Sequence, residues 1–263
     1  MPHNFEYYQL RDSFIHQLDP RVKLILTLLF ILATVLLPDG AWLPFVLSWG
    51  VILLITKMAQ LNYKMVFLRS LIIMPFLLAA VTVLFSTAGT TLLSWPIGSW
   101  TITVTEEGLI RFVSILIRSW LAVQTAVLLT ATTQFPDLMH ALSHLHVPMI
   151  LVGIISFMYR YLFVLVDEVM RLLRARQARS ARLPNTGTHG GSLVWRAKVA
   201  GGMVGQLFLR SLDRSDAVYN GMLARGFRGQ LLTMNPHTMK KDDWLFLGTA
   251  VIVILLIHLS SRV

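Results

Sequence analysis

The 263-residue chain is 55% hydrophobic and only 14% charged, with a mean hydropathy of +0.65. A soluble domain carries about 25% charged residues, so this balance excludes an ordinary water-solvated fold and points to lipid. The net charge of +10 reads as the Lys and Arg of cytoplasmic loops rather than a nucleic-acid footprint, and the absence of cysteine excludes disulfides, thiolate metal sites and cysteine nucleophiles.

The start, Met1 to Arg21, is polar and mixed in charge, and no small-residue cleavage site follows the first apolar run, so no cleavable signal peptide is expected. That first run is Val22 to Leu37, closed by the turn residues Pro38-Asp39-Gly40. Ala41 to Thr56 is the second, with Lys57 at its far end, and Leu68 to Phe85 is the third. The fourth runs from about Glu107 to Thr132 and holds Arg111 and Arg118, seven apart and therefore on one face. Each run approaches the length of about 20 residues that a spanning helix needs. Between the third and fourth, Thr101 to Thr105 alternates β-branched residues after a Pro-Ile-Gly turn, which predicts a short extracellular hairpin. Trp42, Trp95, Trp100 and Trp244 sit near run ends, as interfacial anchors do.

Pro136 to Pro148 reads as a short helix bracketed by prolines. His140 and His144 share one of its faces, with His146 nearby. Imidazoles suit divalent metals, but only Asp137 joins them at ligand spacing, so no metal site is expected in this chain. From Met149 the pattern is apolar as far as Val166, interrupted by Arg160. It then passes without a breaker into DEVMRLLRARQARSAR, Asp167 to Arg182. Residues 183–191 form a loop, Ser192 to about Gly226 is further helix, and Trp244 to Leu259 is the last apolar run.

Lys57, Lys64 and Arg69 mark the loop after the second run as cytoplasmic, while the loops at 38–40 and 87–105 hold no Lys or Arg. The N-terminus is therefore expected inside. Residues 167–243 hold 13 Lys and Arg and belong inside as well. A full crossing by Met149 to Val166 would carry them outside, and Arg160 at mid-membrane would cost about 2.5–3.5 kcal/mol. That run is accordingly expected to start at the cytoplasmic interface and pack on the bundle. The expected fold is an all-α polytopic membrane protein of about five to six transmembrane helices. A four-helix bundle covers 1–132, cytoplasm-facing coupling helices 133–243, and a final span 244–263. Six spans with an external N-terminus is the alternative count.

Within the basic segment, Arg176, Arg179 and Arg182 form a connected stripe on a helix, opposite Val169, Leu172 and Leu173. A stop-transfer cluster, or a face lying on anionic head groups, would explain the charge. It would not explain a repeat. Ala178-Arg179-Ser180 is followed 46 residues later by Ala224-Arg225-Gly226, again at the end of a helical pattern rich in small residues. Small residues let a helix end enter a groove, while a guanidinium bonds a carboxylate bidentately. Two such ends would fill the two equivalent grooves of a symmetric dimeric partner.

These stretches, RARQARSAR and DRSDAVYNGMLARGFRG, resemble the paired Ala-Arg-Gly signatures of the transmembrane (T) component of energy-coupling factor transporters, and LDPRVKLILTLLF is similar to that family's N-terminus. The second motif most resembles the cobalt subfamily. The resemblance implies a coupling subunit in the bacterial cytoplasmic membrane that binds no cofactor itself. ATP and Mg would be used by a partner dimer of ABC-type ATPases. A separate membrane-embedded subunit would bind the substrate, and a further small membrane subunit would join in the cobalt case. Arg179 and Arg225 would sit in the ATPase grooves, flanked by Ala178, Ser180, Ala224 and Gly226. Ser180 departs from the usual glycine, and Ala175-Arg176-Gln177 offers a competing register. Cobalt, nickel and vitamin importers share this layout.

An integral-membrane enzyme is the rival class. The chain shows no GxxxxGK[ST], HExxH, GxSxG or clustered aspartates for magnesium-dependent lipid transfer, so no catalysis is expected of it. Nor does it show the two related halves of many secondary transporters.

Overall fold

A computed structural model describes residues 8–9, 11–87, 89–97, 100–145, 147–179, 193–228 and 239–261. The chain divides into two compact units, one of Asn4–Leu145 with Asn235–Val263, the other of His146–Met234 with Met1–His3.

The first unit opens with a short turn of helix, α1 (Phe14–Gln17), and continues through α2 (Pro20–Val35), α3 (Trp42–Met58) and α4 (Tyr63–Ser70). A single 3-10 turn, Leu71–Ile73, leads into α5 (Met74–Ser86). Pro75 in the first turn of α5 lacks an N–H and crowds the preceding carbonyls, and the axis of 63–76 meets that of 80–86 at 51°. The third apolar run is thus a bent helix. An antiparallel hairpin follows, β1 (Thr91–Ile97) with β2 (Trp100–Thr105), where the alternation at 101–105 predicts one. Thr105 then caps α6 (Glu106–Thr132), its hydroxyl accepting the Gly108 N–H at 3.1 Å. Gly108 is needed there: a Cβ would stand 2.9 Å from the Leu84 carbonyl of α5. The unit closes with α7 (Phe135–His144) and α10 (Lys241–Leu259). α7 packs on α2, so it belongs to the bundle's compact unit rather than with the helices that follow it.

Small polar residues share the interior with apolar ones, while many large apolar side chains face outward. Thr34, Ser48, Thr56, Ser70 and Ser114 are buried at the helix contacts, while Ile72, Phe76 and Leu78 are more than 70% exposed. Small residues allow close helix approach, and their hydroxyls bond back to their own helices, as Thr56 does to the Ile52 carbonyl at 2.7 Å. Large apolar side chains are left to face lipid. Ile52, Phe45, Leu121 and Leu128 supply the larger side chains of the interior.

The loop between α2 and α3 is tied to α6. Arg118 donates to Asp39 at 2.7 Å and to the Leu37 carbonyl, Arg111 lies 3.9 Å from Asp39, and the Gly40 N–H donates to Ser114. Gly40 itself has a φ of +79°, the left-handed conformation that Pro-Asp-Gly turn chemistry anticipates.

The second unit is a pair of long helices, α8 (Met149–Arg179) and α9 (Leu193–Ala224). α8 is unbroken at Arg160, and its apolar part has a mean hydropathy of 2.1 and the length to cross a membrane. α6 and α10 meet the same measure. The bent 63–86 helix would be a further span if counted as one, and the 17-residue α3 is a shorter apolar helix.

Candidate functional site

α8 and α9 are antiparallel. Arg214 lies over the Tyr161 ring at 5.8 Å, Glu168 bonds Arg210, and Arg179 shares a cleft with Val199 and Met203, so partner numbers fall as residue numbers rise. Glu168 bridges the pair, its two carboxylate oxygens taken by Arg171 and Arg210. A cleft lies on either side of this bridge. Towards Arg225 the cleft is mostly apolar, about 450 Å³, lined by Phe157, Tyr161, Val218 and Met222 among others. Towards Arg179 it is basic.

The two arginine motifs therefore lie at opposite ends of one helix pair. Arg225 is roughly 22 Å from the Glu168–Arg210 bridge along α9, and Arg179 roughly 16 Å along α8, at 1.5 Å per helical residue. Both arginines are exposed, as are Ala178, Ala224 and Gly226. Ser180 lies outside the described residues. Arg179 is the last described residue of α8, and Arg176, three residues earlier, is less exposed.

The second motif is built as a helix stop. Gly226 has a φ of +80°, its N–H donates to the Leu223 carbonyl at 2.9 Å, and the Phe227 N–H donates to the Met222 carbonyl at 3.0 Å. This is the Schellman arrangement, completed by Phe227 and Met222 lining the same apolar cleft. Its chemistry explains the order Ala-Arg-Gly. Alanine ends the helix without bulk. Glycine turns the chain at no steric penalty. The arginine between them is held at the negative end of the helix dipole with its side chain in the open. The sequence reading valued glycine for its small size; the structure adds the left-handed turn.

The first unit holds a second polar cluster that sequence reading did not single out. Asp19 caps α2, accepting the Arg21 N–H at 2.8 Å, with Pro20 next in line at the first helical position. The Asp19 N–H donates to Asp243 at 3.0 Å, and Asp243 also accepts the Lys240 N–H at 2.8 Å. Lys23 donates to the carbonyls of His16 and Thr132 at 3.0 and 3.2 Å. Arg21 approaches His140 at 3.2 Å. Asp19, Lys23 and Asp243 are all less than 9% exposed, so the cluster pins the ends of α2, α6, α7 and α10 together. The Asp-Pro pair of LDPRVK was the available signal, a capping aspartate followed by the favoured first-turn proline. His16 lies beside this cluster, and burial, with the Lys23 charge, lowers its pKa below the ordinary 6.5.

The histidines of α7 have structural partners. The His140 and His144 rings meet edge to face at 4.8 Å, and among the described residues no group of three or more metal-ligating side chains gathers. His146 lies outside the described residues. A cavity of about 250 Å³ between α2, α3, α6 and α10 is lined almost wholly by apolar groups such as Phe30, Ile52, Leu128 and Ile254. Lys23 at its edge is already committed to two carbonyls.

A bundle with outward-facing apolar side chains, and a helix pair whose first helix is apolar enough to cross a membrane before its arginines begin, define a polytopic membrane protein. The chain belongs to the CbiQ cobalt transport protein family, whose model matches residues 11–236. It is 27% identical to the energy-coupling factor transporter transmembrane protein EcfT of Clostridium kluyveri, over 96% of this chain and 94% of the relative. EcfT of Brevibacillus brevis is also 27% identical, over 94% of this chain and 93% of that protein. An uncharacterized protein of Methanocaldococcus jannaschii is 26% identical over 98% of the chain and 86% of its own length. The two EcfT relatives are transmembrane proteins of energy-coupling factor transporters.

Proposed function

We propose that this chain is the coupling subunit of an energy-coupling factor importer for cobalt ions, multi-pass in the bacterial cytoplasmic membrane with its N-terminus inside. It binds no cofactor; ATP and Mg act on a partner dimer of ABC-type ATPases. A separate membrane subunit binds the ion, with a further small membrane subunit in the assembly. The observation that carries this reading is the placement of two exposed arginine motifs towards opposite ends of one antiparallel helix pair. A single groove would need one such motif; two spaced motifs match a dimer.

In this mechanism each guanidinium bonds a carboxylate within an ATPase groove. Closure of the ATPase dimer on ATP moves the grooves relative to each other, and α8 and α9 follow. Their motion reorients the substrate-binding subunit. Truncating an arginine that bonds a desolvated carboxylate costs about 2–5 kcal/mol, so two together decide the assembly. The polar ion has no counterpart in the apolar cavity of the bundle, which agrees with a separate substrate subunit.

The test is Arg179→Ala with Arg225→Ala in the assembled transporter. Loss of ATPase co-purification together with loss of labelled cobalt uptake is expected. Unchanged uptake would sink the reading. Uptake of nickel or a vitamin with cobalt excluded would keep the coupling role and replace the substrate.

A further inference from the structure

The basic cleft between α8 and α9 is not used by the two motif ends alone. Arg171, Arg176 and Arg179 line it from α8, Arg210 from α9, and its volume is about 640 Å³. Ligand pockets of about 300–1,000 Å³ are typical. The same walls carry apolar groups, Met203, Val199 and the Trp195 ring. We propose that this cleft binds a phosphate ester, the head group of an anionic phospholipid.

Charge comes first. Glu168 is the acid of the bridge and occupies part of the Arg171 and Arg210 forks, yet each guanidinium has five N–H donors. Arg171 and Arg210 thus keep N–H donors beyond those given to Glu168. Guanidiniums match the planar pairs of oxygens on a phosphate, and a basic pocket between helices on the cytoplasmic side is a head-group site by its chemistry.

The lining favours a lipid over free phosphate. Free phosphate has no use for Met203, Val199 and an indole, whereas a head group with its glycerol and first acyl carbons does.

The test uses the purified full-length chain in detergent, with native mass spectrometry as the readout. The probes are dioleoylphosphatidylglycerol, dioleoylphosphatidylcholine and inorganic phosphate. Phosphatidylglycerol is expected to bind at least tenfold more tightly than phosphatidylcholine. Arg171→Gln with Arg210→Gln is expected to weaken it at least tenfold. Arg174→Gln, an exposed neutralisation on the same helix outside the cleft, is expected to change it less than twofold. Glu168→Gln releases both guanidiniums and is expected to tighten binding, a gain that misfolding cannot imitate. Equal binding of the two lipids, or equal loss in the double variant and in Arg174→Gln, overturns the proposal. Displacement of the lipid by inorganic phosphate at matched concentration overturns the lipid source. A double variant that loses the ATPases but keeps the lipid makes the cleft a protein-docking surface instead, which also overturns it. Arg225→Ala keeps lipid binding while testing ATPase association, so the two readings fail separately.

Discussion

The carboxylate of Asp243 accepts the backbone N–H of Asp19 at 3.0 Å, joining the first residues of α10 to the cap of α2 across almost the whole sequence. Asp243 is 5% exposed and Asp19 3%, so neither group has water to replace the other. The contact closes the bundle by uniting its first and last long helices.

Asp243→Ala is accordingly expected to lower stability by about 1–3 kcal/mol, the cost of leaving buried donors unsatisfied. Asp243→Asn keeps one acceptor and is expected to cost less. Thermal unfolding of the detergent-purified chain, followed by size-exclusion, orders the two variants; equal midpoints would show that the contact adds nothing.

The α2–α3 turn offers a comparison within one carboxylate. Arg118 is mostly buried and bonds both Asp39 and the Leu37 carbonyl, while Arg111 is well exposed and lies 3.9 Å away. Arg118→Ala is expected to cost about 1.5–3 kcal/mol, as for hydrogen bonds to charged groups. Arg111→Ala should cost ~0–1 kcal/mol, the worth of an exposed pair. The same melting measurement tests the order, and added salt should erase only the smaller effect.

Gly226 carries a backbone prediction. A Cβ meets nothing within 4 Å, so any penalty at this position comes from φ and not from crowding. Gly226→Ala is expected to cost about 1–2 kcal/mol and to fray the last turn of α9. Gly226→Asn should recover part of that, because asparagine tolerates the left-handed region. Amide exchange at Arg225 to Phe227 reports it directly, and a fraying α9 end should weaken ATPase binding with Arg225 intact.

The pKa of His16 sits below 6.5 because burial, and then Lys23, disfavour its charged form. The unfolded chain therefore binds the proton first as pH falls, and stability declines from about pH 6.5 downward, levelling once the folded state is also charged. Above 6.5 the contribution is constant. His16→Gln should flatten this part of the pH–stability curve; an unchanged slope would assign the decline to other groups.

Much of the fold was legible because lipid imposes a simple code. Each apolar run became a helix, the third of them bent, and Pro-Asp-Gly at 38–40 and the alternation at 101–105 became a turn and a strand. The run from Met149, expected to stay at the interface, has the length and hydropathy to cross. What was not legible depended on partners distant in sequence. Asp19 and Asp243 meet only after the bundle closes, and Glu168 gains its meaning from Arg210 on the next helix. The motifs were readable as a repeat, since Ala-Arg recurs 46 residues apart. Their opposite placement was not, because it follows from the antiparallel packing of α8 and α9. Arg160 illustrates the limit of local cost: it does not break α8, whose apolar part keeps the length of a span.

The Glu168–Arg210 bridge divides the helix pair unequally. Taken as a fulcrum, it gives Arg225 the longer arm and Arg179 the shorter one. At 1.5 Å per residue, a 10° swing about it carries Arg225 about 4 Å and Arg179 about 3 Å. A stroke delivered equally at both ends thus cannot be a pure rotation about this point; the bridge itself must also be displaced.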